Sequence, residues 1–188
     1  MSSSQPSPPC YWLDKSIIID NGEGEVDIDC ICLGTGRFLR SVLVPIMVEY
    51  MNAKNNSSKN ASKKAVGPVL IQPRGTSMIE YMSNKQQEQE ENNNTTFSCC
   101  YEIDTVLSNG TTQTNQVPIS AVFSLSSPQG KHSLVEYLPQ IMKNGYVRMF
   151  VRYVRSWNFL SCVSQIFTLL TPQSISSSIS LGFTPYIV

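Results

Sequence analysis

The sequence has little charge and no excess of either sign. Asp, Glu, Lys and Arg make up 15% of its 188 residues, against ~25% in a typical soluble domain. Fourteen basic side chains balance fourteen acidic ones. A neutral balance gives no long-range attraction to nucleic acid or to an anionic membrane, and neither is an expected partner. Histidine occurs once, at His132. Beside a helix start it reads as a surface or capping residue rather than a base or ligand. None of the six cysteines forms a C-x-x-C pair, so the usual spacing of a zinc site or redox dithiol is missing and no metal site is read. Long apolar runs are absent as well. Phe159 to Leu170 spans twelve residues and is broken by Ser161, Ser164 and Gln165, whereas a membrane helix needs ~20 apolar residues. Met1 to Pro9 has no basic stretch leading into an apolar core, so no secretory signal is read. A cytoplasmic location with reduced thiols is the expectation.

What replaces charge is Ser, Asn, Thr and Gln, and these cluster. Hydrophobic residues still reach 41%, enough for one packed core. Residues 1–25 read as a disordered lead-in, 26–154 as one α/β domain and 155–188 as a divergent tail. Within the domain, Val26 to Leu33 reads as a strand in which Cys30 and Cys32 act as small core hydrophobes. Arg37 to Asn52 reads as a helix, with Phe38, Val42, Leu43, Ile46, Met47 and Tyr50 giving its apolar face. Pro45 falls inside it and should bend it or cost roughly 3 kcal/mol. Asn52 to Lys64 reads as a polar loop. Val66 to Gln72 is a continuous apolar run of the kind buried on both faces. Pro73 to Ser77 is a turn. Residues 84–96, rich in Gln, Glu and Asn, read as a solvated loop. Phe97 to Leu107, the turn Asn109-Gly110 and Val117 to Leu125 read as a hairpin. Ser133 to Lys143 reads as a helix and Tyr146 to Val154 as a strand. Beyond Val154 the chain is Ser-rich, with no clear period across it.

One loop carries chemistry. The segment Leu33-Gly34-Thr35-Gly36-Arg37-Phe38-Leu39-Arg40 joins the first apolar strand to the helix. Strand, G-x-G and helix is the arrangement that holds a dinucleotide pyrophosphate. The first glycine permits a tight turn, and the second lets the backbone approach the phosphates. The helix N-terminus supplies N–H groups and partial positive charge. Thr35 lies between the glycines, and Arg37 and Arg40 in the first turn can add phosphate contacts. The third glycine of G-x-G-x-x-G is replaced by Leu39. The next apolar strand ends Ile71-Gln72-Pro73-Arg74. An acidic residue there would favour NAD; instead Gln72 can bond ribose hydroxyls and Arg74 can meet a phosphate. NAD is the expected cofactor and NADP stays open.

This loop resembles the phosphate loop of the long-chain mannitol dehydrogenase family. Its tagaturonate and fructuronate reductase branch is the most similar, with its glycine-x-glycine-x-phenylalanine-leucine-arginine pattern. Val69 to Pro73, Phe97 to Tyr101 and Ser133 to Phe150 are similar in order to the elements that follow in that family. The resemblance covers residues 27–150. It implies a Rossmann-like NAD(P)-binding domain, here incomplete, and an oxidoreductase that interconverts a polyol or sugar acid with a keto sugar. In the family a lysine acid–base with asparagine and histidine partners lies in a later helical domain. No catalytic residue is therefore assigned here; Lys131 and Lys143 match no motif. The resemblance also implies that the chain is a fragment lacking the catalytic domain, because the family pattern stops after Phe150. The alternative reading is a non-catalytic nucleotide-binding or interaction domain. A third is a non-functional fragment that does not fold stably, because half a Rossmann sheet leaves open edges.

Overall fold

Three short runs of apolar residues build the centre of the molecule. They are β2 (Cys30–Leu33), β3 (Val69–Gln72) and β6 (Ala121–Ser124), and every residue in them is buried. The computed structural model describes residues 9–14, 28, 30–56, 66–91, 100–141 and 148–151. Strand β1 (Tyr11–Leu13) flanks β6, and β7 (Arg148–Val151) flanks β2, giving a five-stranded sheet of order β1-β6-β3-β2-β7. The pairings β6–β3, β3–β2 and β2–β7 are parallel, and β1 is antiparallel. A parallel core needs helical crossovers. The chain supplies α1 (Val44–Asn56), α2 (Ser77–Glu91) and α3 (Pro128–Ile141). The class is α/β.

Adjacent strand residues point to opposite faces, and β1 uses this to fix the layers. Trp12 donates its indole N–H to Gln86 of α2 at 2.9 Å. Its neighbour Tyr11 packs its ring against Tyr137 of α3, with centroids 5.3 Å apart. Helices α2 and α3 therefore cover opposite faces of the sheet. Right-handed crossovers require this, because β2, β3 and β6 step in one direction and β7 returns past them to the far side of β2.

Several expectations change in this fold. Part of the lead-in is not disordered. Tyr11 to Leu13 covers the open edge of β6, and Trp12 is 4% exposed. Burial of a large aromatic outweighs the Ser/Pro-rich context. The Gln/Glu-rich stretch from residue 84 is helical through Glu91. Gln, Glu and Lys are good helix formers, and Met78, Ile79 and Met82 anchor the helix in the core. The polar stretch after Asn52 continues as helix to Asn56. The hairpin partner is also different. Strand β4 (Cys100–Val106) pairs with β5 (Thr112–Pro118), and the run toward Leu125 is split in two. Pro118 ends the ladder, and Ser120 then bonds both ways, donating to Pro68 O at 3.2 Å and accepting from Asp14 N–H at 3.0 Å. That leads the chain into β6 of the main sheet. Helix α3 starts at Pro128, so His132 lies inside it and exposed rather than at its cap.

The apolar face of the first helix also departs from expectation. Leu39, Val44, Met47 and Met51 are buried, whereas Phe38, Val42, Ile46 and Tyr50 are 52%, 41%, 56% and 40% exposed. The cause lies in the helix itself. Leu39–Leu43 is a π-turn that runs directly into α1, with Val44 N–H bonded to Leu39 O five residues back. The extra residue per turn rotates the apolar positions relative to an α-helical count. It also absorbs Pro45, whose ring would collide with the carbonyl four residues earlier in an unbroken α-helix. The acidic stretch 20–29 (apart from Ile28), the ends of the polar inserts and the tail 155–188 lie outside the described residues.

Candidate functional site

Strand β2 has β3 on one side and β7 on the other. The chain goes from β2 to β3 first and reaches β7 last, so the order reverses at β2. In open parallel sheets, the crevice beyond the carboxyl ends of the strands at such a reversal is where ligands bind. The segment at the carboxyl end of β2 is Gly34-Thr35-Gly36.

The turn is built tightly. Gly34 closes the ladder by donating its N–H to Ile71 O at 2.8 Å. Its φ is +124°, and a Cβ added there would sit 2.5 Å from Leu39 Cδ1. Leu39 occupies the place of the third glycine and is 2% exposed. A large residue at that position fills the space beneath the turn and leaves room only for glycine at residue 34. Gly36 is exposed, and its carbonyl accepts the first helical hydrogen bond, from Arg40 N–H at 3.0 Å. The amides of Arg37, Phe38 and Leu39 come before that bond and have no acceptor inside the helix. Gly36, whose carbonyl takes that first bond, has no side chain that could cap the helix, and Phe38, already helical at φ −59° and ψ −44°, makes no side-chain cap bond. Arg37 and Phe38 are exposed and Thr35 and Arg40 are half-buried. Arg40 Nε is buried and makes no hydrogen bond among the described residues.

The π-turn ties this site to the hairpin. Pro45 has no N–H, so the carbonyl of Arg40 lacks the donor that the π pattern would give it. The buried Tyr101 of β4 supplies one, donating its hydroxyl to Arg40 O. Burial raises the phenol pKa, against an opposing pull from the Arg40 charge. The sequence signal for this contact was Pro45 itself: a proline inside a helix strands a carbonyl, and a buried donor must answer it. Beside Gly34, Cys32 is wholly buried, and desolvation lifts its thiol pKa from 9.0 to about 12. It is a core thiol with no nucleophilic character at neutral pH. Cys30 is equally buried.

The second strand-to-helix turn lies alongside, because Leu33 of β2 pairs with Ile71 of β3. It carries the other two candidate residues, in different conditions. Gln72 is 4% exposed. Its Nε2 donates to Arg74 O at 3.0 Å and to Ser77 Oγ at 3.2 Å, while its Oε1 accepts from Met78 N–H at 3.3 Å. Both ends of the carboxamide thus close the start of α2. Arg74 is exposed on the turn. Gly75 follows with φ +71°, and its carbonyl accepts from Ser124 Oγ at 2.7 Å.

Six of the eight candidate residues (Gly34, Thr35, Gly36, Arg37, Phe38 and Arg40) thus share one turn, and Gln72 and Arg74 lie on the neighbouring one. Lys131 is exposed on α3, and Lys143 lies outside the described residues. Among the described residues no group of three or more His, Cys, Asp or Glu could hold a metal ion, and no helix is long and apolar enough to cross a membrane. No family model, no curated protein and no solved structure matches the chain.

Proposed function

We propose that the Gly34 turn binds the pyrophosphate of a nicotinamide dinucleotide. In this reading the chain is the Rossmann-like opening part of an oxidoreductase of the mannitol dehydrogenase type. The observation that carries it is a glycine turn at the reversal of strand order, followed by a helix whose first acceptor is Gly36, a residue with no side chain to cap it. Gly34, Thr35 and Gly36 would approach the phosphates, with the amides at 37–39 as donors. Arg37 and Arg40 would add charge-assisted bonds, and the Arg40 Nε without a partner is the donor that such a ligand would satisfy. Phe38 would border the nucleotide. The strand order β6-β3-β2-β7 supports the reading, since it equals the 3-2-1-4 order of a doubly wound dinucleotide fold. NAD is the proposed cofactor. Of the second-turn candidates, Arg74 is the group exposed to contact the adenosine side, because the Gln72 carboxamide closes α2.

When bound, a nicotinamide would supply hydride exchange with a carbinol carbon of a polyol or sugar acid. What these residues contribute is binding and orientation; the acid–base lysine belongs, by the resemblance, to a later helical domain. Titrating NADH with the purified chain tests the reading. We expect enhanced and blue-shifted nicotinamide fluorescence that is lost in Gly36→Val; no change at millimolar protein overturns it. A second reading, an interaction domain without turnover, is favoured by the exposed apolar residues Phe38, Val42 and Ile46. Hydride transfer to or from mannitol, fructose, tagaturonate or fructuronate by the chain alone would remove it.

A further inference from the structure

The tip of the β4–β5 hairpin carries the one Asn-Gly pair among the described residues, Asn109-Gly110. Asn109, Gly110 and Thr111 are all exposed. The turn closes through Gly110 N–H to Leu107 O at 2.9 Å and Leu107 N–H to Thr111 O at 2.8 Å. Gly110 lies in the left-handed region at φ +79°, and a Cβ built on it would meet nothing within 4 Å. No neighbour blocks a rearrangement of the chain at this point.

Thr111 grips the Asn109 side chain at one atom. Its backbone N–H donates to Oδ1 at 3.0 Å, and its hydroxyl donates to the same oxygen at 2.7 Å. Both bonds draw electrons from the carboxamide carbon Cγ. When a nucleophile adds to Cγ, negative charge develops on Oδ1, where two donors already point. The nucleophile next in the chain is the backbone nitrogen of Gly110, which closes a five-membered ring on Cγ. With no Cβ on residue 110, that nitrogen is not shielded.

We propose that Asn109 is a self-modifying site, which deamidates through a cyclic imide with Gly110 and is promoted by the Thr111 hydroxyl. The Gly110 nitrogen gives its proton to hydroxide, and its bond to Leu107 O opens. The N–Cγ bond forms, the Cγ–Nδ2 bond breaks, and Nδ2 leaves as ammonia with a proton from water. Water then opens the ring. Opening at Cγ gives aspartate, and opening at the main-chain carbonyl gives isoaspartate. Overall one water enters and one ammonia leaves, with no oxidant or reductant. Either product adds one carboxylate to a chain of formal net charge zero, so the modified chain is more acidic. Isoaspartate also lengthens the backbone path between residues 109 and 110 by one atom, which breaks the Leu107–Thr111 pairing at the hairpin end. The proposal does not depend on a nucleotide at the glycine turn.

Ageing the full chain at pH 8 tests it, with peptide mapping by mass and by chromatographic separation of aspartyl and isoaspartyl peptides. Both products should appear at residue 109, together with a more acidic form of the intact chain on ion exchange. Thr111→Val removes the hydroxyl but keeps the β-branched shape. It should slow conversion about fivefold, the effect on a rate of one neutral hydrogen bond. Thr111→Ser keeps the hydroxyl and should restore most of the rate, which separates the hydroxyl from a mere loosening of the turn. An Asn109 peptide that stays unmodified over weeks would overturn the proposal. So would a Thr111→Val chain that converts as fast as the wild-type chain or faster, because Thr111 would then restrain Asn109 and not promote its reaction.

Discussion

The two strand-to-helix turns at the carboxyl ends of β2 and β3 are neighbours with similar ingredients, yet they differ in how their helix starts are satisfied. Each follows a buried parallel strand and contains a glycine with positive φ, Gly34 at +124° and Gly75 at +71°. The β3 turn closes on itself. Gln72 accepts from Met78 N–H and donates to Ser77 Oγ, and Thr76 Oγ1 donates to Glu80 at 2.5 Å. At the β2 turn the first helical bond falls to Gly36, which has no side chain to cap it, and Arg40 Nε has no partner among the described residues. A helix start that lacks internal acceptors is suited to an external anion. One that is filled by its own side chains has fewer free backbone donors to offer. The contrast, more than the glycines themselves, is what singles out the first turn.

The largest expected effect breaks the first turn and not the second. At Gly34 an alanine would meet both a forbidden φ and Leu39 Cδ1 at 2.5 Å. At Gly75 the nearest atom to an added Cβ is Gln72 Nε2 at 3.7 Å. Gly34→Ala should therefore cost about 3 kcal/mol, from backbone strain plus overpacking. Gly75→Ala should cost about 1 kcal/mol, from backbone strain alone. Urea midpoints of the two variants check this, and equal losses would show that Leu39 does not press on Gly34. The next effect breaks the second turn. Gln72→Ala leaves the buried Met78 N–H without its acceptor, so a loss of about 2 kcal/mol is expected. NADH binding, compared below the unfolding transition, should change less than about twofold, because its RT ln ratio would stay near 0.4 kcal/mol. A tenfold loss of affinity would mean that the Gln72 carboxamide reaches the ligand after all.

The sequence made the contrast only half legible. Its apolar runs marked β2, β3 and the segment containing β6, since continuous Cys/Ile/Leu/Val stretches have few alternatives to burial on both faces. The glycine turn was readable because its two glycines sit between a strand and a helix. The internal cap was not. In the sequence Gln72 reads as able to bond ribose hydroxyls, and its bonds to Ser77 and Met78 depend on a helix hidden behind a Gln/Glu-rich composition. The outer face of α1 was misassigned for a related reason. A 3.6-residue count cannot anticipate a π-turn, and Pro45, expected to bend the helix or cost stability, lies two residues beyond it. Trp12 was missed because its burial depends on Gln86, 74 residues away, which no local pattern records. The tyrosine that answers Arg40 O comes from a hairpin 61 residues on, so only the stranded carbonyl, and not its donor, could have been inferred.

The smallest expected effect concerns the strand that leads into the open turn. Cys32 has its thiol pKa raised by burial from 9.0 to about 12. The folded chain therefore holds this proton more tightly than the unfolded chain does. The stabilising contribution is complete below pH 9 and is lost as pH rises through the window from 9 to about 12. Within it the slope approaches about 1.4 kcal/mol per pH unit. Between pH 9 and pH 10 a loss of about 1 kcal/mol is expected, because the unfolded thiol is only partly ionised at the start of the window. Tyr11 and Tyr101, both raised from 10.0, add losses of the same sign that begin below pH 10 and grow above it, so the share of Cys32 is read from the difference between the wild-type chain and a Cys32 variant. Urea midpoints at pH 8, 9 and 10 should fall accordingly. Cys32→Ala should start lower, from the cavity it leaves, and lose less between pH 9 and pH 10. An unchanged slope in that variant would assign the pH dependence to another group than the thiol beneath the glycine turn.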